Sequence, residues 1–214
     1  MVGGTLFNKF FPQLGLAAVI FYVLAVLVGG AITPGYNHIY NTISELSIPG
    51  QPDRWIINSL FILYNLSLFL FAAGGFQFVH LRQQKIARLV FILVMVSAVL
   101  GIAFIIFPQD VRGAEATTAG TIHIILAGLT SPITIVCTIL MGILLIREKN
   151  LHTWGIAFVV LSILILISGA ATAYGVATNS MYGGLLERTT IGIYLLWIAI
   201  LSIMIIKNKA ILLD

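Results

Sequence analysis

Residues 89–107 read LVFILVMVSAVLGIAFIIF, an apolar run between Arg88 and Pro108 in which Ser97 is the one polar side chain. A helix rises about 1.5 Å per residue, so a run of about 20 residues crosses the roughly 30 Å of hydrocarbon in a bilayer. The run has none of the apolar–polar alternation of a barrel strand. A backbone inside lipid must satisfy its own hydrogen bonds, and here a helix is the way to do so.

Working outward, similar blocks occur at about 13–32, 56–80, 120–146, 153–174 and 189–206, with 88–107 the third of six. Hydrophobic residues make up 60% of the 214 and charged residues 8%, where soluble domains carry about a quarter. The expectation is an all-α polytopic membrane protein, a bundle of six transmembrane helices in one domain over residues 1–214. The connections are short, and neither low-complexity sequence nor the inverted repeat common in transporters is evident. Residues 1–12 hold one lysine before a long apolar stretch. That favours a retained signal-anchor helix, with cleavage near Ala31 as the alternative.

Charge orients the bundle. With the N-terminus inside, Lys9, Arg82, Lys85, Arg88, Arg147, Lys149, Lys207 and Lys209 fall on the cytoplasmic side, and Arg54, Arg112 and Arg188 outside. Every loop is short enough for the positive-inside rule to apply, so both termini are expected in the cytoplasm. Glu45, Asp53, Asp110, Glu115 and Glu187 then lie outside, Glu148 and Asp214 inside. The net charge of +4 reads as lysine and arginine facing anionic lipid, not as a nucleic-acid surface. Cell membrane, multi-pass, is the expected location.

The inner connections, LRQQKIAR at 81–88 and REKNLH at 147–152, look like plain turns. The outer ones are richer: TPGYNHIYNTISELSIPGQPDRW at 33–55, PQDVRGAEATTAG at 108–120 and GVATNSMYGGLLER at 175–188. In the first, Ile39, Ile43 and Leu46 follow helical spacing opposite His38, Asn41, Thr42 and Glu45. This predicts a short amphipathic helix over about 37–47 with its apolar face down, either packing on the bundle or forming a lid over an outer pocket.

Pro34-Gly35-Tyr36, Thr42-Ile43-Ser44-Glu45-Leu46 and Pro49-Gly50, with Phe107-Pro108-Gln109-Asp110, Gly120 and His123, resemble a bacterial and archaeal membrane family. That family is catalogued as a domain of unknown function, number nine hundred and ninety-eight. The resemblance covers most of the chain and implies six helices and no established activity. A fainter likeness runs to eukaryotic six-helix proteins of the autophagy-modulator and lipid-asymmetry type. It is carried here by Ile43-Ser44-Glu45 and His123, and it implies lipids of the non-cytoplasmic leaflet.

Few polar residues interrupt the spans. The middle of each predicted span lacks Asp, Glu, Lys and Arg, which speaks against an ion-coupled pump of the usual design, and no ionisable side chain is expected buried at mid-depth. No phosphate-binding loop pattern occurs. Asn65 reads as an interhelical hydrogen bond; the sequon Asn65-Leu66-Ser67 lies inside the membrane and is discarded. Ser131-Pro132 predicts a kink that either shapes a cavity or fits the bundle. Gly169, Ala170, Ala173 and Gly175 permit close helix approach. Cys137 reads as packing, and Trp55, Trp154, Tyr36 and Tyr174 as interfacial anchors.

His123, about one turn inside the outer end of the fourth span, is the most informative residue. Neutral imidazole serves as acid, base or ligand, or simply packs. The same face carries His38, Ser44, Glu45, Asp110, Glu187 and Arg188, the candidate outer-face site. Three arrangements fit these residues. One is an ion-pair cluster with Arg188 or Arg54 clamping Glu45 or Asp110. The second is a phosphate head-group site at Arg188 and Arg54. The third is hydrolytic, using His123 with Ser44, or His38, His123 and a carboxylate on zinc. Metal-ligand spacing such as H-E-x-x-H is missing, so neither metal nor cofactor is expected. The leading expectation is a non-enzymatic protein that binds, moves or organises lipid at the extracytoplasmic leaflet, its partners being membrane lipids. An intramembrane hydrolase or lipid-modifying enzyme on the same face is the alternative, and a small-solute transporter the third.

Overall fold

The computed structural model describes residues 6–51, 53–80 and 84–207. Arg82, Gln83, Lys209 and Asp214 lie outside the described residues, as does the side chain of Lys9. Six helices account for most of the rest: α1 (Leu6–Ile32), α2 (Arg54–His80), α3 (Lys85–Ile106), α4 (Thr118–Ile146), α5 (His152–Ala177) and α6 (Gly183–Lys207). All six are long and apolar enough to cross a membrane. Each packs on the next in sequence, and α6 returns to pack on α1, so the bundle closes into a ring. Several helices outrun the expected spans. In particular α6 begins at Gly183, which puts Glu187 and Arg188 on its second turn and not in a loop.

Phe11, Phe71, Phe91, Phe158 and Trp197 are fully buried in the core. Phe71 and Phe91 meet edge to face at 5.9 Å between ring centres. Gly155 sets how closely α5 approaches α4: a Cβ there would sit 2.4 Å from the Ile146 amide nitrogen and 2.7 Å from the Gly142 carbonyl oxygen. Gly175 similarly admits Leu186 of α6, while Gly169 meets only an ordinary contact from Thr190. Cys137 is buried, with its thiol toward the Val90 carbonyl.

Three expectations for the helices and the first loop need correction. The Asn65 carboxamide donates to the Phe61 carbonyl of its own helix at 2.8 Å, not across to another. It instead packs against α3 at Gly101, where a Cβ would collide with it. The middle of the bundle is free of Asp, Glu, Lys and Arg among the described residues, but it holds ionisable tyrosines. Tyr22 and Tyr64 meet edge to face, and Tyr194 is buried beside Trp197. A phenol carries its hydroxyl uncharged, so it enters an apolar interior at far lower cost than a carboxylate. The predicted helix over 37–47 shrinks to a single 3-10 turn, Ser44–Ser47. Ile43 and Leu46 are buried as expected, but Ile39 is 50% exposed and Glu45 only 7%. Tertiary hydrogen bonds, described next, claim the backbone of residues 39–43 and override the local periodicity.

Candidate functional site

The first connection, described over residues 33–51 and 53, folds over the end of the bundle where the α3–α4 and α5–α6 connections also lie, the cap end. It is held by its main chain. The first amides of a helix have no partner within it, and α6 finds partners in the loop. Gly184 N–H donates to the Tyr40 carbonyl at 3.2 Å and Leu185 N–H to the Ile39 carbonyl at 3.0 Å. Gly184 is required there, because a Cβ would lie 2.2 Å from the Asn41 carbonyl oxygen.

One turn on, Arg188 donates from Nη1 to the Asn41 carbonyl at 2.8 Å and to Gly184 at 2.9 Å, and from Nη2 to the Tyr36 hydroxyl. The Tyr36 hydroxyl in turn donates to the Thr42 carbonyl at 2.7 Å. Burial pushes the Tyr36 phenol up, against the pull of Arg188. The Glu187 carboxylate accepts from the Ile43 amide. Two adjacent α6 side chains of opposite charge thus bind a carbonyl and an amide of the same loop.

Glu45 pairs with Arg112, at 2.8 Å. This corrects the expected clamp by Arg188 or Arg54: both Nη atoms of Arg188 are engaged by the Asn41 and Gly184 carbonyls and the Tyr36 hydroxyl, and Arg54 forms no ion pair among the described residues. Arg112 also donates to the Tyr40 carbonyl at 3.2 Å and lies 4.2 Å from the Tyr40 ring centre. Asn41 Nδ2 donates to the other Glu45 oxygen. Asp110 stands apart from Glu45. It accepts from the Thr117 hydroxyl at 2.6 Å and the Thr117 amide at 2.9 Å, which hold its carboxyl below the usual range. Thr117 caps α4 by accepting from Gly120 N–H at 3.1 Å.

His123 faces inward and is 8% exposed. Its Nδ1 lies 2.9 Å from the Phe107 carbonyl, its Nε2 3.1 Å from Ser44 Oγ, and the Phe104 ring packs edge-on at 4.8 Å. A carbonyl only accepts, so the neutral ring carries its proton on Nδ1 and offers the Nε2 lone pair to the Ser44 hydroxyl. His38 lies elsewhere, exposed, its ring against Tyr36 and over Gly30. Its partial burial, then the Arg188 charge, lowers its affinity for a proton. The zinc arrangement therefore does not assemble: among the described residues no three of His, Cys, Asp and Glu converge.

Of the seven candidate residues, Ser44, Glu45, His123, Glu187 and Arg188 join one network of loop and helix ends. Asp110 sits at its edge and His38 on its surface. The sequence reading missed Tyr36, Asn41, Arg112 and Thr117 as partners. Only Thr117 carried a local signal, a threonine immediately before an apolar run.

Six membrane-crossing helices closed at one end by a polar cap define an integral, multi-pass membrane protein. The chain belongs to the family described as protein of unknown function, DUF998, whose model matches residues 16–204, from within α1 to near the end of α6. No curated protein and no solved structure matches it.

Proposed function

We propose that this protein binds, moves or organises lipid at the leaflet facing the cap end. By the lysine and arginine bias that is the extracytoplasmic leaflet of the cell membrane. One observation carries the reading: the cap covers part of its charge while exposing large apolar side chains among its polar ones. Its loops bury Glu45 and half-bury Glu187 and Arg188. Yet they expose Ile39 (50%), Val111 (57%), Met181 (64%) and Tyr182 (54%). Loop tips of this kind fit the boundary between head groups and acyl chains, where an apolar body and a polar rim are both accommodated. A free phosphate clamp is less favoured, because both Nη atoms of Arg188 are already engaged.

The test is lipid retained through purification of the full chain, identified by mass spectrometry. A defined lipid class should co-purify with the natural chain. The double variant Ile39→Glu, Tyr182→Glu should retain much less of it while keeping its elution profile. Equal retention by both proteins would falsify the reading.

A further inference from the structure

The geometry points to Ser44 and His123 as a nucleophile–base pair that cleaves a carboxylic ester. The substrate class, an ester lipid, rests on the function proposed above; the pair itself does not.

An activated serine needs a base within hydrogen-bond reach and a third group that fixes the base's tautomer and orientation. His123 Nε2 is 3.1 Å from Ser44 Oγ, and the Phe107 carbonyl holds Nδ1 at 2.9 Å. These three groups come from the α1–α2 connection, α4 and the end of α3. Phe104 packs on the imidazole edge and restricts its rotation. The base is buried while Ser44 remains half-exposed, so the hydroxyl is the member a substrate can approach. The amide of Ser44 itself donates to no group among the described residues. A nucleophile's own N–H is a familiar donor to the oxyanion of a tetrahedral intermediate. The Glu187 carboxyl also hydrogen-bonds the Ser44 hydroxyl, competing with His123 Nε2 for its one proton, and it holds the neighbouring Ile43 amide, which fixes the turn that presents Ser44.

The chemistry balances with water as co-substrate. Ser44 Oγ bonds to the ester carbonyl carbon as its proton passes to His123 Nε2. The carbon–oxygen bond to the alcohol then breaks, and that proton leaves with the alcohol. A water molecule, giving a proton to Nε2, attacks the acyl-serine. The acid departs and Ser44 regains its proton. Ester carbonyls of membrane lipids sit at the head-group boundary, the depth assigned above to the cap.

The test uses the full chain in detergent micelles with a fluorophosphonate, which reacts with activated serines. The natural protein should label, and peptide mass spectrometry should place the adduct on Ser44. Ser44→Ala should abolish labelling. His123→Gln should slow it on the order of a hundredfold, as loss of a general base does. If Ser44→Ala does not purify as a single species, Ser44→Cys serves instead. Its thiol should alkylate with iodoacetamide much more slowly once His123→Gln is added. A natural protein that stays unlabelled, an adduct that survives Ser44→Ala, or a thiol indifferent to His123 overturns the proposal. Retained lipid is measured on the same preparations. Lipid without labelling defeats the nucleophile alone, and labelling without retained lipid defeats the lipid reading alone.

Discussion

At the end of the bundle opposite the cap, the α4–α5 turn exposes Arg147, Glu148, Lys149 and Asn150 and buries Leu151. The cap end differs: Asp53 and Glu115 are exposed there too, but Glu45 is buried and Ile39, Met181 and Tyr182 are exposed. One end follows the ordinary rule for a water-facing turn. The other places part of its charge under main chain and offers apolar side chains outward among the polar ones. Backbone accounts for the difference. The α4–α5 turn is short and satisfies itself, with Glu148 N–H donating to Leu145 and Leu151 N–H to Glu148. In the first loop Asn37 satisfies the amides of residues 39–41 locally, but the Ile39, Tyr40 and Asn41 carbonyls and the Ile43 amide take partners from α6 and the α3–α4 connection. The first amides of α6 supply some of them, and charged side chains supply others, where hydrogen bonds to charged groups are the stronger ones.

The largest effect to look for concerns which end faces which side. Cysteines introduced at Gln51, Ala116 and Ser180 should react with an impermeant maleimide on intact cells, and one at Gln83 should not. Reaction at Gln83 alone would turn the molecule over and move the proposed site to the cytoplasmic leaflet.

Next is Arg188→Met. It removes the donors to Asn41, Gly184 and Tyr36 together, and thermal unfolding in detergent should show a loss of about 2–3 kcal/mol. The sequence alone suggests the damage would be an unpaired carboxylate; the structure assigns it to unpaired loop carbonyls. Restoring stability by also neutralising Glu45 would therefore contradict the assignment.

The opposite end offers the matching control. Gly155→Ala drives a methyl group into the α4 backbone and should cost about 1–3 kcal/mol by overpacking. Fluorophosphonate labelling of the folded fraction should stay unchanged. If labelling falls with it, the two ends are not independent.

The smallest effect belongs to Asp110. Its carboxyl titrates below its ordinary range because the Thr117 hydroxyl and amide bind the charged form. A depressed folded value means its contribution is present above the unfolded value and is lost as pH falls through the folded one. Asp110→Asn should flatten the acid limb of a stability profile below about pH 4 and change little at neutral pH. An unchanged acid limb would show that the Thr117 contacts do not form in solution.

How much of this was legible beforehand differs by element. The six spans could be read from runs such as 89–107, because lipid rewards a continuous apolar helix and penalises everything else. His123 and Ser44 could be singled out as unusual residues at one end, but nothing in their spacing put them within 3.1 Å of each other. In the first loop Ile39, Ile43 and Leu46 have the period of an amphipathic helix, yet only Ser44–Ser47 form a helical turn. Periodicity reports which side chains could share a face, not whether the main chain is engaged elsewhere.

The sequence by itself therefore determined the class, the number of helices and the end at which the unusual polar residues gather. Those follow from hydropathy and residue type, which act locally along the chain. The tertiary structure decided the pairings: Glu45 with Arg112, Arg188 with loop carbonyls, and His123 between Phe107 and Ser44. Each joins residues far apart in sequence. Only the closed ring of helices, with α6 returning beside α1, brings α6 to the first loop, and only the packing of α3 against α4 sets His123 beneath that same loop.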